Sequence, residues 1–469
     1  MIAPARIAVY QILSAVSSGR ADLPSAIAHA RLSLADDRDR ALATDIATGV
    51  QRWRAALDHL IVHFSKRGID RLDPEVVEIL RLSVYQLLHL TRVPASAVVD
   101  DAVDLVKRAG KRSAGGFVNA ILRSVSRQRA ALPLPGRPAD PADRRRALEY
   151  LSVTLSHPAW LAARWYDRFG FEVTERWLHF NNSPAPLTLR ANRFVTAPDD
   201  LRVRLAAEHV VVAPGRFAPD ALVVTEGNPL RAGGGAEGLF VVQDEASQLV
   251  TLLAGARPGP RVLDACASPG GKTTAIAAAI PHEGQVVACD VRGRRIELLR
   301  RTVEATRAQR VAIVQADLLL PLPFRTAFEC VIVDAPCSGL GILRRDPDIR
   351  WRRQEADLAV LAASQRRMLR NAADVVAPGG RLIYATCSSE PEENEGVVED
   401  FLRGASDFVP VDARATHPRL DPSLADERGH LRTSPDRHGL EAFFGAVFER
   451  RDASEPATRG ESRTVPQVR

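Results

Sequence analysis

Two cysteines stand in runs that packing alone does not explain: Asp334-Ala335-Pro336-Cys337-Ser338-Gly339 and Ala385-Thr386-Cys387-Ser388. Each closes an apolar, strand-like run and lies in a turn, where a thiol can meet a substrate instead of filling a core, so the pair suggests one active site. A third run, Asp264-Ala265-Cys266-Ala267-Ser268-Pro269-Gly270-Gly271-Lys272-Thr273, follows the strand-like Arg261-Val262-Leu263 and opens a helix-like stretch. Small residues at such a turn let a ligand approach the backbone, and the helix start favours a carboxylate or other anion. A nucleotide-bearing cofactor would sit there.

Which cofactor follows from what is missing. Gly271-Lys272-Thr273 ends like a phosphate-binding loop, but that loop needs a glycine where this chain has Cys266, which argues against a nucleoside triphosphatase. The Gly-x-Gly-x-x-Gly fingerprint of dinucleotide sites is absent too. Asp290 closes the apolar run Val286–Cys289, where an acidic side chain can take both ribose hydroxyls, and Asp317 follows Val314-Gln315-Ala316, within reach of an adenine amino group. Either carboxylate alone would more often be a helix cap. In this order after the glycine-rich turn they favour S-adenosylmethionine. Cys266, Cys289 and Cys330 read as small buried hydrophobes, and without histidines at ligand spacing no metal is expected.

These residues need a scaffold, and the pattern supplies one. From Asp36, the apolar positions Leu42, Ile46, Val50, Trp53, Leu57 and Ile61 trace one helix face. Further helices are predicted near 74–90, 95–109 and 113–129, giving an all-α bundle over 1–131. Pro133, Pro135, Pro138 and Pro141 break every period, so 132–148 reads as a linker. Residues 149–240 mix a helix after His157-Pro158 with short β-rich runs and read as a small α+β connector. From 241 to 450, strands at 261–265, 285–290, 311–315, 330–334 and 381–386 alternate with helices, and a late run covers 442–448. That is a Rossmann-like, doubly wound, mostly parallel sheet, whose ligands sit at the carboxyl ends of its strands. The tail, 451–469, is polar, aperiodic and expected to be disordered.

The net charge of +6 is unevenly placed. Residues 1–150 carry 23 Lys and Arg against 16 Asp and Glu, and the remainder carries 40 against 41. A basic excess confined to the helical third suits a module that docks on a polyanion, although a chain with only four lysines is arginine-rich throughout. Five cysteines without Cys-x-x-Cys spacing, together with no secretory segment and no long apolar stretch, predict free thiols and a cytoplasmic location.

The runs CASPGGKT, VDAPCSGLG, RRDPDIRW and YATCSSEPEENE resemble the successive motifs of the Sun family of RNA 5-methylcytosine methyltransferases, which use S-adenosylmethionine. The helical N-terminus, with VPASAVVDDAVDLVKR and GGFVNAILRSV, resembles the NusB-type RNA-binding module, and HPAWLAARWYDRFG, LTLRANR and GLFVVQDEASQL resemble the segment between. Two departures stand out: Ser268 replaces a more usual alanine, and Asp346 sits where histidine is common. The resemblance implies an enzyme that methylates one cytosine of 16S ribosomal RNA, in the unassembled or early small subunit; the oligomeric state is left open, with a monomer expected. It assigns attack on the base to Cys387, assistance in product release to Cys337 and contact with the cytosine edge to Asp334. It places S-adenosylmethionine against Cys266, Ala267, Ser268, Pro269, Gly270, Gly271, Lys272, Asp290, Arg295, Asp317 and Asp334.

Lys272, beside the turn, is expected to raise the positive potential at a thiol. Arg344, Arg345, Arg350, Arg352 and Arg353, around Trp351, are expected to form an RNA-facing loop. Transfer RNA is the alternative substrate. A non-catalytic RNA-binding or antitermination factor would not need Cys337, Cys387 and Asp334, and an enzyme methylating a protein side chain would not need the two thiols.

Overall fold

A computed structural model describes residues 2–231, 237–255 and 259–452, so most of the tail expected to be disordered lies outside the described residues. Its contacts gather the chain into two compact units, one of residues 1–185, 338–357 and 434–441, the other of 186–337, 358–433 and 442–469. No helix among the described residues is long and apolar enough to cross a membrane.

The first unit is helical. Helices Pro4–Ser17, Leu23–Ser33, Asp37–Ser65, Pro74–His89, Ala95–Arg108 and Gly115–Arg127 close on a core that includes Val9, Ile46, Leu80, Val106, Val118 and Leu122. Side chains mark the helix starts: the Asp22 and Asp36 carboxylates accept hydrogen bonds from the Ser25 and Arg38 N–H groups, and proline opens Pro4–Ser17 and Pro74–His89. The long helix expected from Asp36 forms, but Trp53 (φ −108°, ψ 16°) kinks it. Gly49, on this helix, has no alternative, because a Cβ there would stand 2.0 Å from the Tyr85 ring.

The stretch expected to be a linker is instead packed. Leu132 and Leu134 lie against the helical core, His59 Nε2 donates to the Pro133 carbonyl (2.9 Å), and Thr154 Oγ1 donates to that of Pro135 (2.6 Å). Proline breaks helical periodicity without preventing burial of the residues between. Helices Ala159–Phe169 and Phe171–Asn182 complete the continuous part, with Trp165 and Trp177 edge to face.

The second unit holds two sheets. The smaller comprises β1 (Thr188–Ala191), β2 (Val211–Pro214), β3 (Ala221–Glu226) and β4 (Phe240–Val242), in the antiparallel order β2-β3-β1-β4. The helix Pro198–Ala207 covers it through Leu201 and Leu205.

The larger sheet comprises β5 (Arg261–Asp264), β6 (Gln285–Asp290), β7 (Val311–Gln315), β8 (Phe328–Asp334), β9 (Val376–Thr386), β10 (Phe408–Val411), β11 (Leu431–Arg432) and β12 (Phe444–Arg450). Its order is β10-β12-β9-β8-β5-β6-β7, with β11 on β12. The strands from β5 to β9 run parallel, and β12 and β10 are antiparallel additions. The strand order reverses between β5 and β8, the topological position at which such sheets take ligands. β10 and β11, of four and two residues, are too short to have shown as periods in the sequence.

Candidate active site

Apolar runs end in carboxylates here, so β5, β6 and β8 deliver Asp264, Asp290 and Asp334 to one edge of the sheet. After β5 the chain turns through residues 265–270 into the helix Gly271–Ala279. Gly270 sits at φ +106°, and a side chain there would meet Leu299 and Thr302 at 3.0 and 3.1 Å, so both conformation and space require glycine. The turn is held from two sides. Asp290, 6% exposed, accepts from the Ser268 N–H (3.2 Å) and the Val291 N–H (2.8 Å) and pairs with Arg295 (3.4 Å), which also donates to the Ser268 carbonyl. Arg190, on β1, donates to the Gly271 carbonyl (3.0 Å) and to Thr274 Oγ1 (2.8 Å).

Asp317 follows β7, the neighbour of β6, and its Oδ1 accepts from the Leu319 N–H (2.9 Å). It therefore caps a local turn, while its position beside Asp290 leaves it next to the same strand ends. Asp264 is the residue whose weight the sequence did not show. Its Oδ2 accepts from Thr273 Oγ1 (2.6 Å), and its Oδ1 is buried without a partner among the described residues. Burial, aided by Asp334, pushes its carboxyl up to about 6.

The two thiols follow the ends of neighbouring parallel strands. Asp334 on β8 pairs in register with Ala385 on β9, so the residues just beyond each strand end face each other. Cys337 Sγ and Cys387 Sγ are 3.2 Å apart, and both side chains are partly exposed. Lys272 Nζ donates to Asp334 Oδ2 (2.7 Å) and stands over the Phe443 ring (5.7 Å). Burial pulls the Lys272 ammonium down, but Asp334, Cys387 and Asp264 outweigh it, so its pKa stands above the ordinary value and it stays charged. Two of the thiols read as core residues, Cys289 and Cys330, are buried, and burial pushes them up to about 12. Cys266 keeps some exposure, and its thiol too is raised, by burial and by the carboxylates of Asp264, Asp334 and Asp290.

The acidic loop after Cys387 is not a solvated turn. Ser388, Ser389, Glu390, Glu393 and Asn394 are all buried. Glu393 accepts from Ser388 Oγ (2.6 Å) and Gln365 Nε2 (3.0 Å), and Gln365 Nε2 also donates to the Pro336 carbonyl (3.0 Å). Tyr384 OH donates to the Glu393 carbonyl (2.5 Å), and Thr386 Oγ1 to Asn394 Oδ1 (2.6 Å). One network therefore fixes the backbone before Cys337 and after Cys387, holding the thiols together without a bond between them. Gln365 lies in the helix Ala356–Ala373 and carries no sequence signal for this role.

The arginine-rich run is the clearest departure from expectation. Arg350 is fully buried, Trp351 Nε1 donates to the Gln51 carbonyl (2.6 Å), and Arg345 pairs with Glu441. Arg344 donates to the Pro184 carbonyl and stacks on Phe180, Arg352 pairs with Asp348, and Arg353 donates to the Ser338 carbonyl. The segment is not an RNA-facing loop. It is a strap within the helical unit, anchored by the buried Arg350, where main-chain carbonyls and the carboxylates of Asp348 and Glu441 satisfy guanidinium donors that water would otherwise take.

Comparison with known proteins gives a matching picture. Residues 250–449 match the model of 16S rRNA methyltransferase RsmB/F, residues 3–127 that of the NusB family, and residues 157–231 that of the RsmF/B-like ferredoxin-like domain. The ribosomal RNA small subunit methyltransferase B of Pseudomonas putida is 34% identical, over 91% of this chain and 96% of its own length. That of Pseudomonas syringae pv. tomato is also 34% identical, over 86% and 87%. The crystal structure of the protein PH0851 superposes with a TM-score of 0.78 at 25% identity, covering 96% of this chain and 99% of the other.

Proposed function

This chain belongs to the 16S rRNA methyltransferase RsmB/F family, whose members use S-adenosylmethionine and act on ribosomal RNA, and we propose that it methylates C5 of one cytosine in cytoplasmic 16S RNA. The observation that carries this reading is the 3.2 Å approach of Cys337 and Cys387 beside the Lys272–Asp334 pair. Cytosine C5 is too weak a nucleophile to take a methyl group directly. A thiolate that adds to C6 pushes the C5=C6 pair onto C5 and makes it nucleophilic. Cys387 is that thiolate.

Residues 266–272 with Asp290, Arg295 and Asp317 would hold S-adenosylmethionine, which when bound supplies the methyl group. Their fit rests on a glycine-only turn, a carboxylate at the end of β6 for ribose hydroxyls, and the bare acceptor Asp264 Oδ1. Asp334 accepts a hydrogen bond from the amino edge of the cytosine and holds the ring against both thiols. After C5 is methylated its proton passes to water, the C5–H pair restores C5=C6, and the C6–S bond breaks with its electrons returning to Cys387. Cys337, at the same ring, assists that release. Neither thiol reaches C6 of a stacked base, so the target is single-stranded or extruded. The NusB-family module adds backbone affinity.

The two thiols predict different failures. Cys337→Ala should methylate and then stall, leaving protein joined to RNA on a denaturing gel, whereas Cys387→Ala and the double variant should show neither methylation nor adduct. An adduct in Cys387→Ala, or ordinary turnover in Cys337→Ala, overturns the assignment. Bisulfite sequencing of total RNA from a deletion strain should lose one cytosine signal in 16S RNA, and a loss confined to transfer RNA refutes the substrate.

A further inference from the structure

A second cavity in the unit that carries the methyl-transfer site has no role in the chemistry above. It holds about 250 Å³ and is lined by Arg190, Arg193, Asp220, Gln248, His417 and Arg419, with small residues of the helix Gly271–Ala279 as one wall. None of the residues assigned to methyl transfer lines it.

Its charge is one-sided. Three guanidinium groups face a single carboxylate. Arg190 is 3% exposed, and its hydrogen bonds go to neutral oxygens of Gln243, Gly271 and Thr274. Arg193 and Arg419 are exposed, and neither side chain forms an ion pair among the described residues. Groups of this kind at a concave site attract an anion.

The interior asks for something further. Gln248 is 3% exposed and directs its Nε2 to the carbonyls of Gln243 (3.0 Å) and Leu189 (3.5 Å), leaving Oε1 buried without a donor. Asp220 Oδ1 is likewise buried and bare. Unsatisfied buried acceptors are costly, and a ligand bearing N–H groups would remove that cost. Phosphate alone has no such donors, and a cation alone would meet three arginines. A ligand that is anionic at one end and carries an amino group at the other answers both observations, and in an enzyme of RNA that ligand is a nucleotide.

We propose that this cavity binds one nucleotide of the RNA substrate, distinct from the cytosine being methylated, with its phosphate on Arg193 and Arg419 and its amino-bearing base edge on Gln248 Oε1 and Asp220 Oδ1. The proposal rests on RNA being the substrate. It adds to the methyl-transfer site a second reading point, one that prefers cytosine, adenine or guanine over uracil.

The test uses the full chain with cytidine 5′-monophosphate, uridine 5′-monophosphate and inorganic phosphate, followed by calorimetry, and compares wild type with the Arg193→Ala/Arg419→Ala double variant. The cytidine nucleotide should bind wild type about tenfold more tightly than the uridine nucleotide, the discrimination expected of a satisfied polar edge. The double variant should lose that binding while keeping its S-adenosylmethionine affinity, which reports an intact fold. Its affinity for single-stranded RNA should fall, with a salt dependence shallower by about 0.7 for the phosphate no longer neutralised. Equal affinity for the two nucleotides, inorganic phosphate binding as tightly as either, or an unchanged salt slope in the double variant would overturn the proposal. Methylation by wild type is measured in the same preparation. If wild type methylates RNA while the cavity arms fail, only the cavity assignment is lost, and if it methylates none, the proposed function fails whatever the nucleotides do.

Discussion

Replacing Arg350 with methionine should destabilise the helical unit by about 4 kcal/mol, although it removes a buried charge. The guanidinium is fully buried and meets no carboxylate among the described residues. Nη1 donates to Asn182 Oδ1 (2.9 Å) and to the carbonyls of Ser156 (3.1 Å) and Arg52 (3.4 Å), and Nη2 to those of Leu343 (3.3 Å) and Asn181 (3.4 Å). Burial, with the like charge of Arg52 nearby, pulls its pKa from 12.5 to about 9. A fall of that size means that holding the charge costs about 5 kcal/mol, which methionine relieves. Against that stand five acceptors left dry at about 1–3 kcal/mol each. With the two short bonds near the top of that range and the three long ones near the bottom, the loss is about 9 kcal/mol and the net about 4.

All five tryptophans of the chain, Trp53, Trp160, Trp165, Trp177 and Trp351, lie in this unit, so urea unfolding followed by tryptophan fluorescence reports it selectively. Affinity for S-adenosylmethionine should not change. A variant within about 1 kcal/mol of wild type, or more stable, would show that the carbonyls find other donors and that the strap is not held by this residue.

Two further outcomes follow from individual carboxylates. Burial, with Asp348 and Asp22 nearby, pushes Asp346 from 3.8 up to about 6 against the opposing pull of Arg352 and Arg345. The folded state then binds more protons than the unfolded chain between those values, so stability falls as pH rises from about 4 through about 6, and the penalty is complete above that. Asp346→Asn should therefore gain up to about 3 kcal/mol at pH 8 and nothing at pH 4, and an equal gain at both by urea midpoint would refute the cause. Asp290→Ala should weaken S-adenosylmethionine binding by about 1–3 kcal/mol by leaving ribose hydroxyls unpaired, and calorimetry showing unchanged affinity in a folded variant would remove Asp290 from the site.

By itself the sequence determined whatever is local or periodic. Helix faces such as Ile46, Val50 and Leu57 and the helix start at Asp36 follow from spacing and side-chain chemistry. So do the strands that end in Asp264, Asp290 and Asp334, because a buried parallel strand must be an apolar run and its ligand must lie beyond its carboxyl end. Tertiary structure decided where the polar side chains go. Arg350, Glu390 and Glu393 stand in charged runs, yet all three are buried. Their partners are a carbonyl of Arg52, the amide of Asn182, the amide of Gln365 and hydroxyls of nearby serines, most of them far away in the chain. The same holds for the thiols. Each of Cys337 and Cys387 was legible as a strand-end cysteine, but their 3.2 Å approach exists because β8 and β9 pair in parallel register. A sequence records which groups can donate and accept, and only the packed chain settles which of them are taken out of water together.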